Sequence, residues 1–274
     1  MASARGGAVR PIGQLHYYLS FILSLLGGAF AALGNAHASA WNRDPGDALV
    51  IARFEQFDID ALSAIEDFRR RDISVYGEYG WRPNIMIGGK VVYGVSDFVN
   101  DELPVTVSGF SEVEFFAQYQ VIRKGTQAIA ARAAIIQPAS IEAGVLPELA
   151  GDGTDFDFAA LYGRSLPFPV GDAYVSSEFG YRTRTGAGAD QLRADITFGA
   201  NLSWRWLALL DVQSRRSLGP TEFGTPNFDV VRLQPSVRWK PTRRYGIQAG
   251  AFFDVAGRNL TSGRSVFISI WANF

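Results

Sequence analysis

The sequence predicts an all-β protein, a transmembrane antiparallel up-and-down β-barrel of about 12 strands. Three observations lead to this prediction. The first forty residues have the layout of an export signal. The rest of the chain alternates apolar and polar residues with a period of two, which is the strand signature. One face of each alternating segment is free of charge through its middle, as a face in contact with lipid must be.

Residues 1–40 predict a cleaved secretory signal peptide. Arg5 and Arg10 precede an apolar run that extends from Tyr17 to Leu33, and small residues then lead up to Ala40. A membrane anchor is the alternative, but the small-residue exit and the lack of a later apolar run of helical length favour cleavage after Ala40. The predicted organisation is therefore a signal peptide at 1–40 and a single outer-membrane barrel domain at 41–274.

Composition excludes several classes of function. The formal net charge of −1 gives no reason to expect a nucleic-acid partner. The chain has no cysteine, and both histidines, His16 and His37, lie in the predicted signal. The mature chain therefore lacks thiol nucleophiles, imidazole bases and His or Cys metal ligands. We expect no catalytic residues, no metal site and no cofactor.

Twelve segments of the mature chain alternate, and each is about as long as the nine to eleven residues with which a tilted strand crosses a bilayer. The clearest is 112–121, in which Glu112 and Glu114 share one face and Val113 and Phe115 the other. The segments run near 48–57, 73–82, 85–94, 110–123, 127–137, 155–164, 172–183, 190–200, 204–214, 228–239, 244–256 and 264–274.

Charge separates the two faces. The charges in phase with the apolar face lie at or next to segment ends, at Arg123, Arg164, Asp190, Asp229 and Arg264. A soluble β-sandwich also alternates, but charges of both signs along the polar face suit a lined lumen better. The predicted lumen-lining residues are Arg53, Glu55, Tyr76, Glu78, Lys90, Glu112, Glu114, Arg132, Asp155, Asp157, Glu178, Arg182, Arg193, Asp195, Arg232 and Arg238.

The connections alternate in length, which is typical of short periplasmic turns and longer external loops. This alternation predicts periplasmic N- and C-termini. The short connections fall at 82–84, 124–126, 165–171, 201–203 and 240–243. The longer ones fall at 58–72, 95–109, 138–154 and 215–227, with shorter exceptions at 184–189 and 257–263. Pro235 breaks the strand pattern within a segment, so we expect a β-bulge there.

Aromatic residues on the apolar face predict two girdles at the two membrane interfaces. The first comprises Trp81, Tyr119, Tyr162, Trp206, Trp239 and Phe274, and the second Tyr93, Phe156, Tyr181 and Phe253. The chain ends in an alternating strand that closes on Phe274. This end resembles the assembly signal of bacterial outer-membrane proteins. Together with the export signal it predicts location in the Gram-negative outer membrane, with membrane lipid and the barrel-assembly machinery as partners.

Residues 67–81 and 84–90, with the runs Ser74-Val75-Tyr76-Gly77-Glu78 and Met86-Ile87-Gly88-Gly89-Lys90, resemble the early strands of the XagA-like outer-membrane proteins. That proteobacterial group is similar in turn to barrels regarded as transporters of phenol-degradation pathways. The resemblance covers about a quarter of the mature chain. It implies a monomeric outer-membrane barrel linked to export of small molecules or of surface polysaccharide, and it supplies no catalytic residues.

Two main functions remain open. The first is a channel or transporter-like barrel that passes small polar or sugar-like solutes, with Tyr76, Phe116 and Tyr174 either as a stacking track or as filling of the lumen. The second is a non-conducting structural or docking barrel of an envelope or exopolysaccharide secretion system, whose export complex would then be a partner.

An enzyme is the third and least favoured reading. The carboxylate pairs Asp155/Asp157 and Glu112/Glu114 could in principle do glycosidic chemistry, but balancing of lumen arginines is the simpler interpretation. The acidic stretch 151–157 lacks the complete ligand spacing of a Ca²⁺ loop, so we interpret it as a solvated loop that runs into a strand.

Overall fold

The chain forms a single sheet of twelve strands in the computed structural model. The structure describes residues 40–59, 66–100, 103–137, 153–169, 171–186, 189–219, 228–258 and 263–274. The signal prediction on residues 1–39 lies outside the described residues. The strands are β1 (Ala48–Ile59), β2 (Glu66–Arg82), β3 (Ile85–Asn100), β4 (Leu103–Lys124), β5 (Gln127–Gln137), β6 (Asp155–Phe168), β7 (Gly171–Arg184), β8 (Gln191–Asn201), β9 (Trp206–Ser217), β10 (Asp229–Trp239), β11 (Tyr245–Arg258) and β12 (Gly263–Asn273).

The sheet closes on itself. Each strand is antiparallel to the strands before and after it in the chain, and β1 also pairs with β12, from Leu49 opposite Asn273 to Ile59 opposite Gly263. Closure gives each described strand a partner on both sides, which a barrel needs in lipid because no water is there to satisfy backbone groups. The predicted closed antiparallel barrel of about 12 strands is therefore confirmed. The described residues contain no helix long and apolar enough to cross a membrane.

The two ends of the barrel differ. We call the end at which β1 begins and β12 ends the terminus end, and the opposite end the loop end. The turns at the terminus end are short, and two of them use left-handed residues, Asn84 with φ 67° and Gly125 with φ 56°. Positive φ values suit tight hairpins because they match the twist of the flanking strands. Which side of the membrane each end faces stays a prediction.

Two predicted loops are largely strand, and those two predictions were wrong. In the segment 95–109, β3 continues to Asn100 and β4, with 22 residues, begins at Leu103. In the segment 58–72, β1 reaches Ile59 and β2 begins at Glu66. The apolar alternation marks only the part of a strand that faces lipid. Beyond it charged and polar residues such as Asp58, Arg71 and Asp97 interrupt the outward apolar positions, and the backbone ladder continues without that signal.

The β-bulge predicted at Pro235 lies elsewhere. The register between β10 and β11 shifts between Val231 and Arg232. The pairs on either side of Pro235, Leu233 with Phe253 and Ser236 with Gly250, share one register. Pro235 itself pairs with Leu210 of β9. A missing N–H removes one ladder hydrogen bond and does not require an extra residue, so the strand passes the proline without a bulge.

The outer surface carries a broad apolar belt. Phe115 and Phe179 are each 69% exposed and Val266 is 60% exposed. Rings lie at both ends of this belt: Trp206 and Trp239 have centroids 6.4 Å apart at the terminus end, and Tyr93 meets Phe110 edge to face at 5.3 Å nearer the loop end. Exposed apolar side chains on neighbouring strands around the whole barrel far exceed the patches found on soluble monomers.

Charges on the outer surface of the loop end form pairs beyond this belt. Arg69 contacts Asp58 at 3.0 Å, Arg71 pairs with Asp97, and the hydroxyl of Thr106 donates to the Asp97 carboxylate at 2.8 Å. These residues occupy the strand extensions that the sequence pattern missed. The outer surface thus changes from apolar to ionic along single strands.

Candidate functional site in the barrel interior

The structure places the side chains of the predicted lumen-lining residues inside the barrel. Buried and exposed positions alternate along the strands, as in β5, where the outward Ala131 and Ala133 flank the inward Arg132. The inward residues are Arg53, Glu55, Tyr76, Glu78, Lys90, Glu112, Glu114, Arg132, Asp155, Asp157, Glu178, Arg182, Arg193, Asp195, Arg232 and Arg238. Their role in passage of a solute stays a prediction.

One side of the interior, built by β5 to β9, carries a continuous ion-pair network, which we call the ionic wall. Arg193 is its centre: it pairs with Asp157 and lies 3.7 Å from Glu178, which also pairs with Arg132. The network continues at both ends. The outer pairs are Arg182–Asp157 at 3.1 Å, Arg184–Asp155 at 3.1 Å, Arg193–Asp195 at 3.6 Å and Arg215–Asp195 at 3.0 Å.

Both aspartates that the sequence offered as an acid pair are occupied by this wall. Asp155 accepts from Arg184 and lies 3.9 Å from Arg182, and Asp157 is held between Arg182 and Arg193. The other pair is also engaged in part, because Glu112 accepts from Lys90 at 3.1 Å. The arrangement fits charge balance, while the absence of enzymatic activity stays a prediction.

The opposite side, built by β10, β11, β12 and β1, holds its arginines against rings, and we call it the aromatic wall. The guanidinium carbon of Arg53 lies 3.6 Å from the ring centroid of Phe267, and that of Arg232 lies 3.8 Å from Phe252. Arg238 stacks over Trp271 at 4.3 Å. A ring attracts the face of a guanidinium and leaves the N–H groups at its edge available to other partners.

The three aromatic residues offered as a stacking track do not lie in one row. Tyr76 and Phe116 stack with centroids 5.8 Å apart, and Phe116 packs against Met86. Tyr174 belongs to a separate cluster with Leu207. Phe116 and Tyr174 are each only 5% exposed, so both rings are largely packed against other side chains.

A segment before the first strand enters the interior from the terminus end. We call residues 40–47 the N-terminal plug. Asn42 anchors it: the Asn42 backbone N–H donates to Gln120 Oε1 at 2.8 Å, and Gln118 Nε2 donates to Asn42 Oδ1 at 3.0 Å. Both glutamines are inward and buried. The hydrogen bonds join positions 76 to 78 residues apart in the chain and tie the plug to β4.

Two further contacts hold the plug. The Trp41 ring lies over Gly163, where an added Cβ would meet ring carbons at 2.2 Å, so only glycine leaves room for this ring. Arg43 donates to Glu78 at 2.9 Å. The backbone of the plug also pairs with Gly80, since Gly46 N–H donates to Gly80 O and Gly80 N–H donates to Asp47 O, both at 2.9 Å.

Two cavities lie in the barrel near this segment. The inner cavity, of about 280 Å³, is lined by Arg53, Lys90 and Asp211 among others. The mouth cavity, of about 600 Å³, opens at the terminus end and is lined by Arg43, Lys240 and Trp204 among others. Tyr174, Leu207 and Arg238 line both cavities. These three residues therefore mark the boundary between them.

Sequence reasoning missed several interior residues. Arg184 and Arg215 continue the inward period of β7 and β9 but fall one residue beyond the predicted segment ends, so a longer strand would have included them. Asp211 is in phase and was passed over. Trp41 and Asn42 carry no sequence signal, because nothing in an irregular segment indicates that it folds back into a barrel.

Known structures with this fold are outer-membrane barrels. The COG4313 outer-membrane channel from Pseudomonas putida F1 is 9% identical, with 89% of this chain and 100% of that chain covered and a TM-score of 0.66. The NanC porin is 7% identical, with 81% and 98% covered and a TM-score of 0.53. The translocator domain of the autotransporter NalP from Neisseria meningitidis is 11% identical, with 95% of each chain covered and a TM-score of 0.52.

At these identities the likeness shows the fold, which is that of outer-membrane channels, porins and translocator barrels. No protein-family model matches the chain, and no curated protein sequence matches it. Among the described residues no group of three or more Asp, Glu, His or Cys side chains is placed to hold a metal ion.

Proposed function

We propose that this protein is an outer-membrane channel that passes small polar or sugar-like solutes through an interior narrowed by the N-terminal plug. One observation carries the proposal: a closed barrel has an apolar outer belt and a charged interior that contains cavities. The belt suits hydrocarbon, where each outward Arg or Lys at the midplane would cost about 2–4 kcal/mol. An interior of paired charges suits water and polar solutes.

Selectivity follows from the pairing of charges. The ionic wall neutralises its arginines with carboxylates, so we expect weak preference for either ion sign along that wall. The plug narrows the terminus end because Trp41 and Asn42 occupy space between β4, β6 and β7. We therefore expect a small conductance rather than that of an open porin.

Biogenesis belongs to the same proposal. Cleavage after Ala40 would leave residues 41–47 of the plug as the first residues of the mature chain, and Phe274 would serve as the assembly signal. The terminus end would face the periplasm. Membership of the XagA-like group, and with it a link to polysaccharide export, is a finer proposal that rests on the early strands.

Planar-bilayer recording of the purified mature protein tests the channel. We expect stable ohmic steps of low conductance from protein that is folded, as judged by a heat-dependent shift on SDS gels. Liposome swelling with sugars of increasing size would define the solute class. Folded barrels that give neither current nor swelling would contradict the proposal.

The second candidate is a non-conducting barrel that docks components of an envelope or exopolysaccharide secretion system. The plug favours it, because a lumen closed by its own chain needs no permeant. This candidate predicts silence in both assays, and it predicts that release of the plug does not increase current.

A further inference from the structure

Arg238 is a buried cation whose charge is not neutralised by any carboxylate in the described ranges. The residue is 2% exposed, and its Nε and Nη1 atoms are buried without a hydrogen-bond partner in the part of the chain described. Arg193 and Arg182 are also inward, but each contacts carboxylates. A buried guanidinium without a counter-charge is costly, so an anion bound beside it would recover part of that cost.

The surroundings of Arg238 are built to hold it in place. The guanidinium stacks over Trp271 at 4.3 Å, and a Cβ at Gly246 would lie 2.6 Å from Arg238 Nε. Tyr174 is held in the same way, since a Cβ at Gly199 would lie 2.7 Å from its hydroxyl oxygen. That hydroxyl is also buried without a hydrogen-bond partner among the described residues. Two preorganised donors thus lie at the boundary between the cavities.

The mouth cavity carries several basic side chains beside these donors. Its basic side chains are Arg43, Arg238, Lys240 and Arg243, and its acidic side chains are Asp47 and Asp172. Burial, and then the charge of Arg238, hold the pKa of Lys240 below its ordinary value. Arg43 is paired with Glu78, so the basic groups that extend from Arg238 toward the rim of the barrel are Lys240 and Arg243.

The inner cavity is less suited to an anion. Asp211 lines it, and that carboxylate accepts from Thr197 at 2.6 Å and from Gln234 at 3.1 Å. A negative charge placed there would be repelled by Asp211. The mouth cavity also has the larger volume, about 600 Å³ against about 280 Å³, so a small organic anion has more room on that side of Arg238.

We propose that the mouth cavity is a binding site for a small organic carboxylate, with Arg238 as its anchor and Tyr174 as a second donor. The planar fork of a guanidinium matches the two oxygens of a carboxylate. The volume of about 600 Å³ lies within the range of small-molecule sites. Trp204, Leu207 and Phe274 in the lining offer apolar surface to the body of such a ligand. The site does not depend on whether the barrel conducts.

Fluorine NMR with 4-fluorobenzoate as the probe tests this site on the mature protein in detergent. We expect saturable broadening of the fluorine signal, weakened at least tenfold in Arg238→Gln and partly in Arg238→Lys, which keeps the charge but loses the fork. Arg82→Gln is the matched control, because Arg82 is exposed at the same end, lies over Trp81 at 4.7 Å and lines neither cavity. Binding should be unchanged in that variant.

Competition identifies the anion. Displacement of the probe by benzoate at concentrations where inorganic phosphate has no effect supports a carboxylate site, and equal displacement by phosphate overturns the carboxylate assignment. Absence of saturable broadening in the unchanged protein, or equal broadening in folded Arg238→Gln, overturns the site itself. Heat modification on gels establishes folding of each variant. Because the assay measures binding alone, its result is independent of the conductance test.

Discussion

The two walls of the interior surround their arginines with different proportions of carboxylates and rings. On the ionic wall, Arg193 lies among carboxylates: its Nη1 contacts Asp157 and its Nη2 lies near Glu178 and Asp195. On the aromatic wall, Arg53, Arg232 and Arg238 lie with their faces over rings. Arg53 and Arg232 also have a carboxylate partner, in Glu55 and Asp254 respectively, whereas Arg238 is paired with none among the described residues.

This difference shows how a barrel interior can hold some arginines in ion pairs that stabilise the fold and leave others with N–H groups that can bind a ligand. Carboxylate networks consume the donors of an arginine and make each member depend on the others. A ring supports the cation from one face and leaves its edge free. The ionic wall is therefore expected to stabilise the barrel, and the arginines of the aromatic wall are expected to bind solutes.

The largest expected effect on stability comes from removal of one buried carboxylate from each wall. Asp157 and Asp254 have equally buried side chains, each 3% exposed, but Asp157 holds two arginines and Asp254 one. We expect Asp157→Ala to lower the free energy of unfolding by about 3–5 kcal/mol, the cost of an uncompensated buried charge. For Asp254→Ala we expect about 1–3 kcal/mol, because the Arg232 guanidinium would still lie over the Phe252 ring.

Urea unfolding in lipid vesicles, followed by tryptophan fluorescence, measures both values. The matched pair controls for loss of a buried carboxylate as such. Equal losses in the two variants would show that the two walls do not differ in the way proposed.

A smaller loss of stability is expected when the ring that supports a buried arginine is removed. Trp271→Leu removes the ring beneath Arg238 and should lower the free energy of unfolding by about 1–2 kcal/mol beyond the change in apolar burial. Trp204→Leu is the control: Trp204 lies beneath Arg205 but is 63% exposed, so we expect at most about 1 kcal/mol. The same unfolding assay serves. A loss in Trp204→Leu as large as in Trp271→Leu would argue against a special role for the buried ring.

The smallest effect concerns the pH response of the loop end. The Tyr181 hydroxyl and the Arg184 backbone N–H donate to Asp190 and hold the pKa of its carboxyl below the ordinary value. The stabilisation is therefore complete above the unfolded pKa of about 3.9 and is lost as the pH falls through the lowered folded value. Tyr181→Phe should move the pKa of Asp190 back upward. Carbon-13 titration of the Asp190 carboxyl measures this, and an unchanged midpoint would contradict the assignment.

Much of the barrel could be predicted because lipid imposes a simple rule on each strand. The outward Phe115 and Phe179 reveal their strands by alternation, and the inward Arg132 reveals the opposite face. This rule does not apply to parts of a strand that extend beyond the lipid. For that reason the strand extensions around Asp97 and Thr106 were taken for loop, and Arg184 and Arg215 were left out of the interior.

The plug and the anion site could not be predicted from local patterns. Asn42 meets Gln118 only because β4 passes beside the plug in the folded barrel, and Gly163 makes room for Trp41 from a distant strand. Arg238 was predicted to line the lumen with the other charges. That none of the described carboxylates pairs with it depends on which strands are neighbours and on side-chain directions, which only the folded barrel defines.

Single-channel conductance of a variant with glycine at positions 41, 42 and 43 tests the central claim most directly. These substitutions remove the Trp41 ring, the side-chain hydrogen bonds of Asn42 with Gln118 and the Arg43–Glu78 ion pair, and all three positions lie outside the twelve described strands. We predict low-conductance steps from the unchanged protein and a several-fold larger conductance from the variant. Equal conductance in the two folded proteins, or no current from either, would contradict a channel narrowed by its own N-terminal segment.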